Sequence, residues 1–229
     1  GGDFDVASRS VGELFTGGVA DIQKLQGAQP LPATGPEVKA VMQALGGDEA
    51  DIVTGRAASE TEVKSAKLSD YRVLYFATHG LLAGEVEELA KVRGEPALLF
   101  AVPEKPTPED DGLLTASEVA QLKLNADWAV LSACNTAAGS KPGATALSGL
   151  ARAFFYAGAR SLLVSHWPVD DQATKALMVR LFETVKANPG KRAAEAQQEA
   201  MLSIMQDPQH PQWANPAYWA PFILVGEPR

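Results

Sequence analysis

Apolar residues recur along this chain at two different spacings. Nearly continuous apolar runs at 71–77, 128–133 and 161–165 are long enough for strands buried on both faces. Between and after these runs, apolar residues recur three and four positions apart, as they do on one face of an α-helix. Segments with this helical spacing lie at 37–45, 59–68, 116–122, 146–157, 170–188 and 192–205. The alternation of the two patterns predicts an α/β fold.

Residues with capping preferences mark the ends of several predicted helices. Ser59 with Glu62, and Thr115 with Glu118, have the spacing of a capping box, in which two side chains satisfy free N–H groups of the first helical turn. Gly158 follows another helical segment, where a C-terminal glycine cap is expected. These positions predict where the helices begin and end.

Two shorter apolar stretches complete the predicted elements. The stretch at 51–53 predicts a short strand before the Ser59 helix, and 221–226 predicts a last strand. Strands that alternate with helices specify a mainly parallel central sheet flanked by helices. In such a sheet, functional groups gather beyond the carboxyl ends of the strands.

The composition changes along the first part of the chain. Residues 1–30 are rich in glycine, alanine, proline and serine, which predicts a loosely ordered leading segment. Residues 31–229 carry the regular patterns and have a length that folds as one domain.

Residues that could take part in catalysis or binding follow the three apolar runs. His79 and Gly80 follow the first, Cys134 follows the second, and His166 with Trp167 follows the third. A cysteine protease needs a thiolate, a proton donor for the leaving amine, and N–H groups aimed at the oxyanion. We therefore predict Cys134 as nucleophile, His79 as its partner, and the backbone N–H groups of Gly80 and Cys134 as the oxyanion hole.

The spacing of these two residues supports the pairing. Cys134 follows His79 by 55 positions, close to the offset of about 50 between the catalytic residues of caspases. A lone cysteine also serves as a small buried apolar residue in many proteins, and this alternative stays open at the level of spacing.

Charge and composition exclude several functional classes. The net charge of −8 disfavours an extensive electrostatic interface with nucleic acid, which needs clustered lysine and arginine. No apolar run reaches the roughly 18 residues of a membrane helix. The single cysteine suits a reducing compartment, so we expect a cytoplasmic location. Three scattered histidines predict no metal site, and no phosphate-binding loop is present, so we expect no cofactor.

Seven segments of the sequence resemble one known family, the CHAT domain, a separase- and caspase-related peptidase family. In chain order they are YRVLYFATHG at 71–80, DGLLTA at 111–116, LSACNTA at 131–137, GLARAF at 149–154, AGARS at 157–161, WPVDD at 167–171 and NPAYWAPF at 215–222. The resemblance covers roughly residues 31–226, with the segments in the family's order.

This resemblance implies a caspase/hemoglobinase-like three-layer fold and hydrolysis of peptide bonds in a protein substrate by a dyad of His79 and Cys134. Many members carry helical repeats that govern the peptidase or belong to bacterial defence systems. We therefore expect a regulated bacterial endopeptidase that responds to an activating or sensor protein or to an upstream domain. The alternative is a caspase-like interaction or scaffold domain without activity, which typically lacks one of the dyad residues.

The substrate pocket is predicted beyond the third apolar run. Asp170 or Asp171 would pair with a basic P1 side chain, as in separase-like relatives, or else cap the helix that begins there. Trp167 and His166 are predicted to line the same cleft, although His166 also fits an ordinary hydrogen-bonded histidine.

Overall fold

The computed structural model describes residues 31–132 and 146–228, apart from 32, 82, 84, 85, 87–94, 108, 168 and 169. The α-helices in this part of the chain span Thr34–Leu45 (α1), Glu60–Ser65 (α2), Ala116–Val119 (α3), Ala146–Ala157 (α4), Asp171–Ala187 (α5) and Ala193–Met205 (α6). The strands span Val73–Phe76 (β1), Gly80–Leu81 (β2), Ala97–Leu99 (β3), Leu113–Thr115 (β4), Trp128–Leu131 (β5), Ser161–Ser165 (β6) and Phe222–Gly226 (β7).

The central sheet has the strand order β1-β5-β6-β7. The pairs β1–β5 and β5–β6 are parallel, and β7 runs antiparallel to β6. The prediction of a mainly parallel sheet flanked by helices is therefore confirmed, as are the strands predicted from the three apolar runs and from 221–226.

Side chains of the central strands alternate between two apolar cores, which makes three layers. On one face, Leu74, Ala129 and Leu162 pack against α4, whose Phe154 is fully buried. On the other face, sheet residues pack against α1, α5 and α6. Strands that are covered on both sides bury apolar residues at every position, and this explains the nearly continuous apolar runs.

A second, antiparallel sheet of strand order β2-β3-β4 was not predicted. Its strands are two or three residues long, too short for a period of two to stand out from the sequence. This small sheet carries Gly80, so it matters for the site.

Several local predictions need correction. The stretch 51–53 is not a strand: a 3₁₀ turn covers Glu49–Asp51, because the Asp48 side chain accepts the Ala50 N–H at 2.9 Å and caps it. The helix that begins after Ser59 ends at Ser65 rather than at 68, and of the predicted capping box only the bond from the Glu62 N–H to the Ser59 side chain forms. The helix predicted at 116–122 ends at Val119. The capping box of Thr115 is confirmed, with both of its bonds formed.

In the part of the chain that the structure describes, no helix combines the length and the apolar character that crossing a membrane requires.

Candidate active site

The neighbouring strands β1 and β5 bring the two predicted catalytic segments together. Their register pairs Val73 with Trp128 and Phe76 with Leu131, and the Ser132 N–H donates to the Phe76 carbonyl at 3.0 Å. The two strands therefore end level with each other at the carboxyl edge of the sheet, about 4.8 Å apart.

His79 lies three residues beyond the end of β1, and Leu99 holds the backbone around it. The Thr78 hydroxyl donates to the Leu99 carbonyl, and the Leu99 N–H donates to the His79 carbonyl at 2.8 Å. Leu99 is itself buried in β3. The small sheet thus holds the main chain on both sides of the His79 side chain, which is half-buried.

The pairing of β2 with β3 determines the direction of the Gly80 amide. Gly80 stands opposite Leu98, and the flanking bond from the Leu99 N–H to the His79 carbonyl makes this a non-hydrogen-bonded pair. In such a pair the N–H and C=O of each residue point away from the partner strand. The Gly80 N–H therefore points out of the edge of β2 opposite to β3 and is not used in the pairing of these two strands.

Cys134, the predicted nucleophile, lies outside the described residues. Its position along the chain is informative nonetheless. It lies three residues beyond Leu131, just as His79 lies three residues beyond Phe76, the partner of Leu131 in the register. The offset of 55 positions between His79 and Cys134 is therefore the register offset of the two strands.

A buried carboxylate that the sequence reasoning missed lies at the same edge. Glu37 of α1 is 4% exposed, and its Oε1 accepts hydrogen bonds from the Ser132 hydroxyl at 2.5 Å and from the Tyr75 hydroxyl. Glu37 and Val41 lie one turn apart on the buried face of α1. A carboxylate on the apolar side of a helix was the sequence signal that could have revealed it.

The surroundings of Glu37 disfavour its charged form. Burial raises the pKa of the Glu37 carboxyl above its ordinary value of 4.5, and the hydrogen bonds from Ser132 and Tyr75 offset this only partly. The negative charge of Asp171 raises it further. Burial and the neighbouring Glu37 also raise the pKa of Tyr75 well above its ordinary value.

The predicted pocket residues lie beyond the end of β6. The His166 N–H donates to the Pro221 carbonyl at 3.0 Å, and the indole N–H of Trp167 donates to the Ala217 carbonyl at 3.3 Å. Trp167 is 42% exposed. The segment 215–222 thus supports this corner, and Trp167 remains partly exposed to solvent.

The two aspartates of this corner differ in their bonding. Asp170 caps α5, because its Oδ1 accepts the Ala173 N–H at 2.9 Å. Asp171 is the first residue of α5, and its pKa is raised first by burial and then by the negative charge of Asp170. The capping interpretation therefore holds for Asp170, whereas binding of substrate at either residue stays a prediction.

Comparison with known proteins assigns the chain to a family. The chain is 29% identical over 222 residues to tetratricopeptide repeat protein 28 of Homo sapiens and of Mus musculus. This similarity covers 86% of the chain but only 8% and 9% of those proteins, so the chain spans less than a tenth of the length of these relatives. The sequence model of the CHAT domain matches residues 5–227. This mixed α/β chain, with its mainly parallel caspase-like sheet, belongs to the CHAT domain family.

Proposed function

We propose that this chain is a cysteine endopeptidase in which Cys134 and His79 form the catalytic dyad. The observation that carries the proposal is the register of β1 and β5, which brings the segments leading to both residues level at one edge of the sheet. Family membership adds the caspase-like fold on which such a dyad operates.

The chemistry assigns one role to each group. The Cys134 thiolate attacks the carbonyl carbon of the scissile peptide bond and forms a tetrahedral oxyanion, which accepts hydrogen bonds from the N–H groups of Gly80 and Cys134. The C–N bond then breaks, and the His79 imidazolium donates its proton to the leaving amine. A water molecule, deprotonated by His79, hydrolyses the resulting thioester and releases the Cys134 sulfur.

Substitution of the dyad tests this proposal. Cys134→Ala and His79→Ala should each lower kcat/KM for peptide hydrolysis by about three or more orders of magnitude, while circular dichroism shows an intact fold. His210→Ala is the matched control, because His210 stacks on Trp213 with 3.8 Å between ring centroids and has no role in the proposed chemistry. Cleavage by the Cys134→Ala variant at the rate of the unmodified chain would refute the proposal.

Asp171 is the better candidate to meet a basic P1 side chain. Asp170 already accepts a backbone N–H at the start of α5, whereas the raised pKa of Asp171 reflects a carboxylate that a cation would stabilise. A panel of fluorogenic peptides should show preference for arginine or lysine over aspartate and leucine at P1. Asp171→Asn should reduce this preference more than Asp170→Asn does, and equal rates across the panel would exclude an acidic pocket.

Regulation by another segment or protein is part of the proposal. The relatives are named for tetratricopeptide repeats, and this chain spans only a small part of them. We expect an activating or sensor module, in the same polypeptide or in a partner, within a bacterial defence-type system. The assays should therefore be repeated in the presence of candidate modules. Silence under all conditions, together with an unreactive Cys134 thiol, would instead identify a scaffold domain.

A further inference from the structure

Glu37 connects the two strands that lead to the proposed dyad. Its Oε1 accepts one hydrogen bond from Tyr75 in β1 and another, at 2.5 Å, from Ser132 at the end of β5. Tyr75 lies four residues before His79, and Ser132 lies two residues before Cys134. A side chain from α1 therefore joins the ends of both catalytic strands on the face opposite to α4.

Burial of the Glu37 carboxylate carries a free-energy cost. The charged and titratable groups that face it in the described part of the chain are Tyr75 of β1 and Asp171 of α5, and neither supplies a positive charge. Burial of an ion without a counterion is unfavourable, even where hydroxyl groups solvate it. Packing alone would be served better by an apolar residue, so this arrangement points to a role at the site.

We infer that Glu37 is a positioning residue, whose carboxylate holds the carboxyl ends of β1 and β5 at a fixed separation and so sets how His79 approaches Cys134. The inference rests on the proposed function, in which these two residues form the dyad. In this role Glu37 acts through Ser132 and Tyr75, whose hydroxyl groups donate to it.

Two features make this linkage rigid enough to matter. Ser132 is held twice, since its N–H donates to the Phe76 carbonyl at 3.0 Å while its hydroxyl donates to Glu37. Hydrogen bonds in the low-dielectric interior of a protein are electrostatically stronger than in water. A displacement of about 1 Å in a catalytic group can cost about a hundredfold in rate. A small shift of Ser132 would therefore displace Cys134 and lower the rate.

The experiment uses three variants and one matched control. Ser132→Ala and Tyr75→Phe each remove one hydroxyl with little change of volume, and Glu37→Gln removes the charge. Asp127→Asn is the control, because Asp127 is a buried carboxylate at the opposite end of β5, where it pairs with Arg72 and Arg160. Thermal unfolding of each variant reports whether its fold is intact.

Two measurements distinguish the positioning role of Glu37 from the proposed peptidase activity itself. The first is kcat and KM for a peptide substrate. The second is the rate of alkylation of Cys134 by iodoacetamide as a function of pH, which needs no turnover and reports on one residue, because the chain has a single cysteine. A purely structural role would lower the unfolding temperature and leave the pH profile of alkylation unchanged.

We expect Ser132→Ala and Glu37→Gln to lower kcat about tenfold or more with KM nearly unchanged, and to shift the pH profile of alkylation. Asp127→Asn should change neither readout in the folded protein. If the unmodified chain cleaves peptides and the three variants match it in both readouts, the inference is wrong while the proposed function stands. If the unmodified chain cleaves nothing but the alkylation profile shifts, the proposed function fails while Glu37 still positions Cys134. No cleavage and no shift would overturn both.

Discussion

The two ends of the central sheet each contain a buried carboxylate, and the two differ in charge balance. At the amino end, Asp127 is 3% exposed and pairs with Arg72, whose Nε lies 2.5 Å away, and with Arg160 at 3.1 Å. At the carboxyl end, Glu37 is 4% exposed and is bonded by two hydroxyl groups. Asp171 adds a further negative charge there.

This difference distinguishes the Asp127 cluster, which holds strands together, from the Glu37 cluster, which we infer also positions the proposed dyad. Arg72 and Arg160 precede β1 and β6, so the Asp127 cluster joins three strands with its charge compensated. The Glu37 cluster joins two strands, and among the described residues no positive charge compensates it. Uncompensated buried charges destabilise a fold, and they are concentrated at functional sites. The buried Glu37 carboxylate therefore lowers the stability of the fold at the carboxyl end of the sheet.

The largest effect on stability is expected at the amino end. Asp127→Ala leaves Arg160, which is 22% exposed, without its carboxylate, and should lower the free energy of unfolding by about 3 kcal/mol. The high exposure of Arg72 keeps the loss from being larger. Urea denaturation measures this change, and kcat of the folded variant should stay at the level of the unmodified chain. A fall in kcat of the Asp127→Ala variant without loss of stability would contradict the purely structural role of Asp127.

Intermediate effects are expected for the hydroxyl groups at the carboxyl end. Ser132→Ala and Tyr75→Phe should each lower the free energy of unfolding by about 1.5 kcal/mol, because each removes a hydrogen bond to a carboxylate. Since both hydroxyls bond to the same oxygen, the double variant should deviate from additivity by about 0.5 kcal/mol or more in a double-mutant cycle. Strict additivity would indicate that Glu37 does not couple the two strands.

A smaller effect is expected at the cap of α5. Asp170→Ala removes the acceptor for the Ala173 N–H and should cost about 1 kcal/mol of stability in thermal or urea unfolding. Asp170→Asn keeps a capping oxygen and serves as the control, with little expected loss. An Asp171→Asn variant should not be destabilised, because the pKa of Asp171 is raised. A larger loss for Asp171 than for Asp170 would contradict the assignment of the cap.

The smallest effect is a dependence of stability on pH that is carried by Glu37. Its pKa is raised in the folded state, so its contribution to stability is fully present below about pH 4.5 and is lost as the pH rises through the folded pKa. Glu37→Gln does not titrate. The free energy of unfolding of the unmodified chain, relative to this variant, should therefore decrease as the pH rises above about 4.5. Comparison with the variant cancels the same trend from Asp111 and Asp171, whose pKa values are also raised. A relative stability that increases with pH would contradict the raised pKa.

Most of the central sheet was predictable from sequence, and the small sheet was not. The runs that became β1, β5 and β6 are nearly continuous in apolar character because helices cover both faces of the sheet. In contrast, β2, β3 and β4 are only two or three residues long. No local periodicity can reveal the pairing of such short strands, because its stability comes from contacts made only in the folded state.

The candidate site divides in the same way. His79, Gly80 and Cys134 could be proposed from the sequence because each follows a recognisable strand and because the spacing of 55 positions between His79 and Cys134 is close to the offset of about 50 in caspases. Glu37 was not predicted, since its bonds to Tyr75 and Ser132 span 38 and 95 positions. A glutamate in a helix ordinarily faces solvent, and only tertiary packing buries it.

By itself, the sequence determined which segments form the central sheet and which residues follow its strands, because these follow from local patterns of polarity and from motifs. Only the tertiary structure decided that β1 and β5 are neighbours in a register that matches the spacing of His79 and Cys134. It also decided that the Gly80 N–H points away from β3, and that the Glu37 carboxylate is bonded by hydroxyl groups from two strand ends. These features depend on distance and direction between segments far apart in the chain, which local patterns do not encode.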